Sequence, residues 1–396
     1  MRFCWKNTQW NHRDAKKLKN RKRVKMKLAI IGAGPGGLYA ALAAAGKDIQ
    51  ADLFEKRKVG EGIVCGECIF DSLGIIASPG DGLLHPVDEL VLKGHREYAF
   101  PLSRHRKLWM LDRQTWQRDL ARRAKNLGVR IHENIRITRA QLERMQKEYD
   151  WILDASGAPS VTSRLYSFTG HYFQEYLLAH QLVLASDFRA LWPRIKIVFF
   201  PNLPAKYQPA YYWVFPKNAG RANVGVVCTV RGILNRDRPD IKKLLADALS
   251  AEGLTDAGVL ERGGGIAASR MLTNLVYGNL ILIGDAAGLT SALHGGGIDL
   301  ACLSGTLAVD AVTGGHEGVA AYQEKLTRYM QDKLALERIT IQKMRALNFD
   351  QFDDLLCGVT SQSRFTRFKT ALCHPDMFYT TLKWFGTKKE IPDWPV

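Results

Sequence analysis

The segment KLAIIGAGPGGLYAALAAAG, residues 27–46, constrains this chain more than any other. Leu28 to Ile31 is a continuous apolar run, the pattern of a parallel strand buried on both faces. The turn that follows, Gly32-Ala33-Gly34-Pro35-Gly36-Gly37, fits G-x-G-x-x-G and leads into an Ala/Leu-rich helix. Residues 51–57 read as a second strand, which completes a βαβ unit. The glycines have separate tasks. Gly32 turns the chain sharply off the strand, Gly34 lets the backbone approach a pyrophosphate, and Gly37 lets the helix pack close to the sheet. The helix N-terminus presents free N–H groups to the phosphates. Glu55 lies 23 residues after Gly32, near the spacing of about 20 expected for a ribose-binding carboxylate.

Two later segments have the same buried-strand character, YDWILDASG at 149–157 and GNLILIGDAAG at 278–288. The second ends in Asp285, placed to bond a ribityl hydroxyl. Ten residues on, Gly295-Gly296-Gly297-Ile298 opens another helix. Glycines at a helix start let bare N–H groups face an anion. Between these pieces lie alternating segments, AYYWVFP at 210–216 and ANVGVVCTV at 222–230, which predict antiparallel strands. From about residue 330 the pattern is helical, and the last stretch is rich in aromatics. The expected fold is therefore α/β (α+β). A doubly wound dinucleotide-binding domain (26–75, 105–165 and 270–330) is interrupted by an antiparallel-sheet substrate domain (76–104 and 166–269), and a helical C-terminal region covers 331–396.

Charge is unevenly spread. There are 56 Lys and Arg against 39 Asp and Glu, net +17. Residues 1–25 hold ten of the cations and one acid, Asp14. Like charges in a block repel and resist packing, so 1–25 reads as a basic disordered tail, or as an extension upstream of a start at Met26. A peripheral contact with an anionic membrane surface fits the residual positive charge, whereas nucleic acid is not expected, since no folded motif accompanies the tail. Seven scattered cysteines, an odd number, argue against a disulfide framework and fit a reducing cytosol. No apolar run reaches the roughly 18 residues of a membrane-spanning helix.

Together these motifs acquire a family likeness. GAGPGG with Glu55, LDRQTWQRDL (111–120), LDASGAPSVTSR (153–164) and GDAAG…HGGGI resemble the FAD-dependent oxidoreductases of p-hydroxybenzoate hydroxylase fold. VCGECIF (64–70) and YYWVFPKNAGRANVGVV (211–227) further resemble the geranylgeranyl reductase family. The resemblance spans about residues 27–325. It implies an FAD-dependent reductase of isoprenoid carbon–carbon double bonds, with NADPH or reduced ferredoxin as electron donor. It places FAD against Gly37, Glu55, Cys65, Gly66, Cys68, Arg113, the backbone near Ile135, Asp285, Gly297 and Ile298. It makes Tyr211, Trp213, Phe215 and Pro216 the floor of an apolar substrate cavity. Three positions depart from the family pattern: Cys68 two residues after the CGE glycine, Ala292 before the GGGI glycines, and Ser156 before Gly157.

Cys65 and Cys68 have C-x-x-C spacing. A zinc site lacks a second ligand pair, so none is expected. A regulatory disulfide and a thiol beside the flavin both remain open. For the proton that alkene reduction requires, the candidates are Cys65, Tyr211, His294 or a held water. A flavin-dependent monooxygenase of the same fold is the alternative reading.

Overall fold

The computed structural model describes residues 25–71, 73–76, 79–102, 107–232 and 238–386. The basic segment therefore falls outside the described residues, apart from Lys25.

Three sheets organise the chain. The first has the order β15-β16-β9-β1-β2-β8. It comprises β1 (Met26–Ile31), β2 (Ile49–Phe54), β8 (Arg130–His132), β9 (Trp151–Asp154), β15 (Val276–Tyr277) and β16 (Leu280–Leu282). All neighbours run parallel except the β15–β16 hairpin. Leu28 to Ile31 and all of β9 are buried, as the apolar runs predict. Helix α1 (Pro35–Ala45) crosses from β1 to β2 and packs on α6 (Ile298–Thr313).

The second sheet is the inserted domain, ordered β14-β10-β13-β12-β11-β5-β6. Its strands are β5 (Glu89–Lys93), β6 (Glu97–Pro101), β10 (Tyr176–Ala185), β11 (Ile195–Phe199), β12 (Ala210–Asn218), β13 (Arg221–Val230) and β14 (Gly258–Ala268). Pairing is antiparallel throughout, save the parallel β11–β5 contact that ties the two parts of the insertion together. Period-2 alternation decides the faces. Tyr212 and Val214 of β12 join a core beneath α5 (Ile241–Ala251), while Tyr211, Trp213 and Phe215 form a separate apolar cluster on the other face.

A small sheet of β3 (Cys68–Asp71), β7 (Lys107–Leu111) and β4 (Leu83–Pro86) links the two larger ones. After β7, Asp112 caps α2 (Arg113–Asn126) by accepting the Thr115 N–H at 3.0 Å, a side-chain bond that fixes where the helix starts. Helices α3 (Arg139–Glu148) and α4 (Val161–Leu165) flank β9.

The C-terminal region departs from its expected boundary at 330/331. That point lies inside one 32-residue helix, α7 (Gly315–Ala346). The helical stretch then breaks at Leu347. Asn348 caps the next helix, α8 (Phe349–Thr360), through a reciprocal capping box with Gln351, which satisfies two backbone donors and so favours a new start over a continued helix. Two more helices follow, α9 (Arg364–Cys373) and α10 (Pro375–Gly386). Among the described residues, no helix is long and apolar enough to cross a membrane.

Candidate functional site

One cavity of about 890 Å³ runs from the glycine turn after β1 to the inner face of the seven-stranded sheet. Gly32, Gly34, Gly36, Glu55, Arg113, Ile135, Asp285, Gly297 and Ile298 line one end. Tyr211, Trp213, Phe215, Leu177 and Ile197 line the other, and Cys65, Gly66, Cys68 and His294 lie in the same wall.

The glycine turn is built as its spacing demands. Gly32 has φ +104°, a conformation L side chains rarely adopt. Gly37 does not line the cavity; a Cβ there would strike the Gly32 carbonyl, so this glycine sets the closeness of helix and strand. Gly34 faces open space, with nothing within 4 Å of where its Cβ would sit. The Glu55 carboxylate accepts the Ala33 N–H at 2.7 Å and the Arg57 N–H at 3.2 Å. It stands at the end of β2 with lone pairs to spare. Gln117, which donates to the Ala33 carbonyl at 2.9 Å, also accepts from the Arg113 guanidinium. Arg113 is thereby held, buried, at the N-terminus of α2.

The loop carrying Cys65 is pinned from the inserted domain. Gln181 of β10 and Asn223 of β13 both donate to the Cys65 carbonyl at 3.0 Å. Asn223 in turn accepts the Trp213 indole N–H at 2.9 Å. Glu67 accepts from Lys217 at 2.7 Å and from the Arg113 N–H at 3.2 Å, joining loop, sheet and α2. Gly66 passes close to the Phe215 and Trp213 rings, and a Cβ there would lie 3.3 Å from Phe215. Cys65 and Cys68 are both free thiols. The Cys65 sulfur accepts the Glu67 N–H at 3.3 Å, and burial pushes the Cys68 thiol up from its ordinary value.

Tyr211 donates its hydroxyl in a hydrogen bond to the His294 carbonyl at 2.8 Å. Burial raises the Tyr211 pKa, so the phenol stays protonated. The His294 ring accepts the Gly296 N–H at Nδ1, 3.2 Å away, and its Nε2 is 3.7 Å from a Glu337 oxygen. Desolvation, reinforced by Lys333, lowers the His294 pKa. Asp285 accepts from Thr290 at 3.0 Å, and burial raises its pKa. Gly297 precedes α6 with no side-chain cap, leaving the helix N-terminus turned toward the cavity.

Besides Gly37, one more expected residue needs amending. Pro216 does not line the cavity. Strand alternation turns it from the face that Phe215 occupies, and its carbonyl bonds the His85 ring at 2.9 Å. Tyr211 and His294, separate candidates for the proton, are joined by the Tyr211 hydroxyl's bond to the His294 backbone carbonyl. Sequence reasoning missed Gln117, Gln181 and Lys217. Gln117 reaches Ala33 across 84 positions, Gln181 reaches Cys65 across 116 and Lys217 reaches Glu67 across 150, and no local motif marks such partners. It also missed Lys333 and Glu337, buried on α7 behind the glycine loop. Among the described residues, no cluster of three His, Cys, Asp or Glu is arranged to hold a metal.

These residues fit a dinucleotide such as FAD. Gly34 leaves an open cradle at the N-terminus of α1, a carboxylate stands at the ribose position, and an uncapped helix start faces the far end.

Comparison with known proteins agrees with this geometry. No family model matches the chain. It is 28% identical over 345 residues to the digeranylgeranylglycerophospholipid reductase of Methanosarcina mazei, covering 78% of this chain and 81% of the relative. The digeranylgeranylglycerophospholipid reductase of Thermoplasma acidophilum is 26% identical over 371 residues, 84% of this chain and 91% of the relative. Among solved structures, a geranylgeranyl bacteriochlorophyll reductase-like protein from Thermoplasma acidophilum superposes with TM-score 0.72 at 20% identity, covering 91% of this chain and 99% of that one. In sequence over most of its length, and in fold, the chain resembles the geranylgeranyl reductase family of FAD-dependent oxidoreductases.

Proposed function

We propose that this protein is an FAD-dependent reductase of isoprenoid carbon–carbon double bonds, acting on a geranylgeranyl-type lipid. One observation carries the reading. The apolar wall of Tyr211, Trp213 and Phe215 shares a single cavity with the glycine turn, Glu55 and the start of α6. FAD, when bound and reduced by NADPH or reduced ferredoxin, supplies the hydride. The chain's own residues do the rest.

Gly34 and the first turn of α1 hold the pyrophosphate, and Glu55 holds the ribose. Arg113, Asp285 and the N-terminus of α6 hold the far end, where N–H groups oppose negative charge. An isolated alkene offers no carbonyl to polarise. The aromatic wall must therefore hold it by shape and keep water out. Saturation adds a hydride to one carbon and a proton to its neighbour. The Tyr211 hydroxyl is already engaged as donor to the His294 carbonyl, and burial lowers the His294 pKa and favours its neutral ring. The Cys65 thiol donates to no described residue and lines the cavity. We assign it the proton.

The test is anaerobic. The purified protein is photoreduced, then mixed with geranylgeranyl glycerophospholipid or with a saturated analogue. Return of oxidised-flavin absorbance with the unsaturated lipid alone, and a product heavier by two hydrogens, is the expected result. No reoxidation by any polyprenyl lipid would reject the reading.

A further inference from the structure

Helices α9 and α10 turn an apolar surface outward. Phe365, Phe368 and Leu372 are 77%, 62% and 65% exposed. Their spacing puts them on one stripe of α9. On α10, Phe378, Tyr379 and Leu382 are likewise exposed. Among the described residues, these three phenylalanines are the exposed ones; the other described Phe side chains are at least partly covered.

The inner faces are anchored. Thr370 of α9 packs against Gly358 of α8. Thr380 of α10 is buried, and Asp376 and Lys383 pair with Lys343 and Asp332 of α7 at 3.0 and 3.4 Å. The outward stripe is thus a held surface, not a frayed end. Its rim is basic. Arg364, Arg367 and Lys369 are exposed beside the stripe. The one acid between 361 and 386 is Asp376, already paired.

Contiguous exposed apolar groups of this kind mark interaction sites. A second copy meeting this face across a two-fold axis would set one basic rim against another, with no acid between 361 and 386 but the paired Asp376 to offset it. Aromatics flanked by arginine and lysine instead match a lipid interface, with rings at the acyl boundary and cations at the phosphates.

We propose that the outer face of α9 and α10 docks on an anionic lipid bilayer. The proposal does not depend on the reaction assigned above, because membrane binding is read without turnover. Full-length, FAD-loaded protein is sedimented with phosphatidylcholine vesicles, with and without phosphatidylglycerol, at low and high salt. Wild type should bind the anionic vesicles. The triple variant F365S/F368S/Y379S should lose about ten-fold or more of that binding, and so should R364E/R367E/K369E. High salt screens the contribution of the basic residues 1–25 but leaves apolar insertion, so the serine variant should lose most there. Unchanged flavin content and melting temperature show that each variant folds. Equal vesicle binding by wild type and the serine variant at both salts would overturn the proposal. So would a wild-type dimer that ignores vesicles and dissociates in that variant.

Discussion

The Tyr211 hydroxyl donates to the His294 carbonyl at 2.8 Å, which makes it a strut between two elements rather than a loose acid in the cavity. Tyr211 sits on β12 of the inserted sheet, and His294 directly precedes the glycines that open α6. The bond therefore fixes the spacing between the apolar wall and the end of the cofactor site.

Tyr211→Phe keeps the ring and removes the strut. A hydrogen bond of this kind contributes about 1 kcal/mol net. The expected outcome is a turnover loss of less than about ten-fold, with weaker FAD retention and an unchanged pH profile. Because burial holds the phenol protonated, no titration of Tyr211 should appear near neutral pH in the wild type, and the variant should lose no pH limb. Parallel pH–rate profiles of wild type and variant check this, and a pH limb lost in the variant would restore Tyr211 as the acid.

Behind the same glycine loop lies a buried charged cluster. Lys333 is 3.7 Å from Asp299 and 3.8 Å from Glu337, and all three side chains are nearly inaccessible. Among the described residues, the Lys333 Nζ and both Glu337 carboxylate oxygens have no hydrogen-bond partner. Buried charges this close depend on one another, so removing one partner is the damaging change. Lys333→Met removes the cation that faces Glu337 and should destabilise the fold by about 3–5 kcal/mol. Removing the Glu337 charge as well, in Lys333→Met/Glu337→Leu, should recover most of that loss. Denaturant midpoints of the two single variants and the double variant measure the coupling. Strict additivity would show that the cluster is not an interacting unit.

Different parts of the site were legible to different degrees. The turn from Gly32 to Gly37 could be read because its requirements are local: a φ of +104° at Gly32 and a clash with Gly32 for any Cβ at Gly37. Those demands leave a mark within six residues. The strands of the inserted domain were readable from alternation, but Pro216 was assigned by its motif when period 2 already put it opposite Phe215. The clamp on the Cys65 carbonyl was hidden. Gln181 and Asn223 lie 116 and 158 positions from Cys65, and sheet register alone brings them there. Lys333 and Glu337 were hidden for another reason. A Lys and Glu four apart on a helix normally mark a solvated face, and only the packing of α7 against the loop buries them.

Cys65 is where the chemistry can be isolated. Its carbonyl is held by two amides, so the loop position is set by backbone, and the thiol can be changed without releasing it. Cys65→Ser keeps size and a donor, but a hydroxyl is a far weaker acid than a thiol. If the thiol gives the proton, reduction of the alkene should slow by about 10²-fold or more. Reduction of the flavin by its electron donor should be unaffected, as should FAD affinity. Rapid mixing resolves the two half-reactions. Cys68→Ser is the matched control. Burial holds the Cys68 thiol protonated, so its replacement should leave both half-reactions nearly intact. A different pattern, with loss in both variants under oxidising conditions and full activity in reductant, would identify a Cys65–Cys68 disulfide instead. An unchanged alkene half-reaction in Cys65→Ser would remove the thiol from the proton path and leave a held water as the donor.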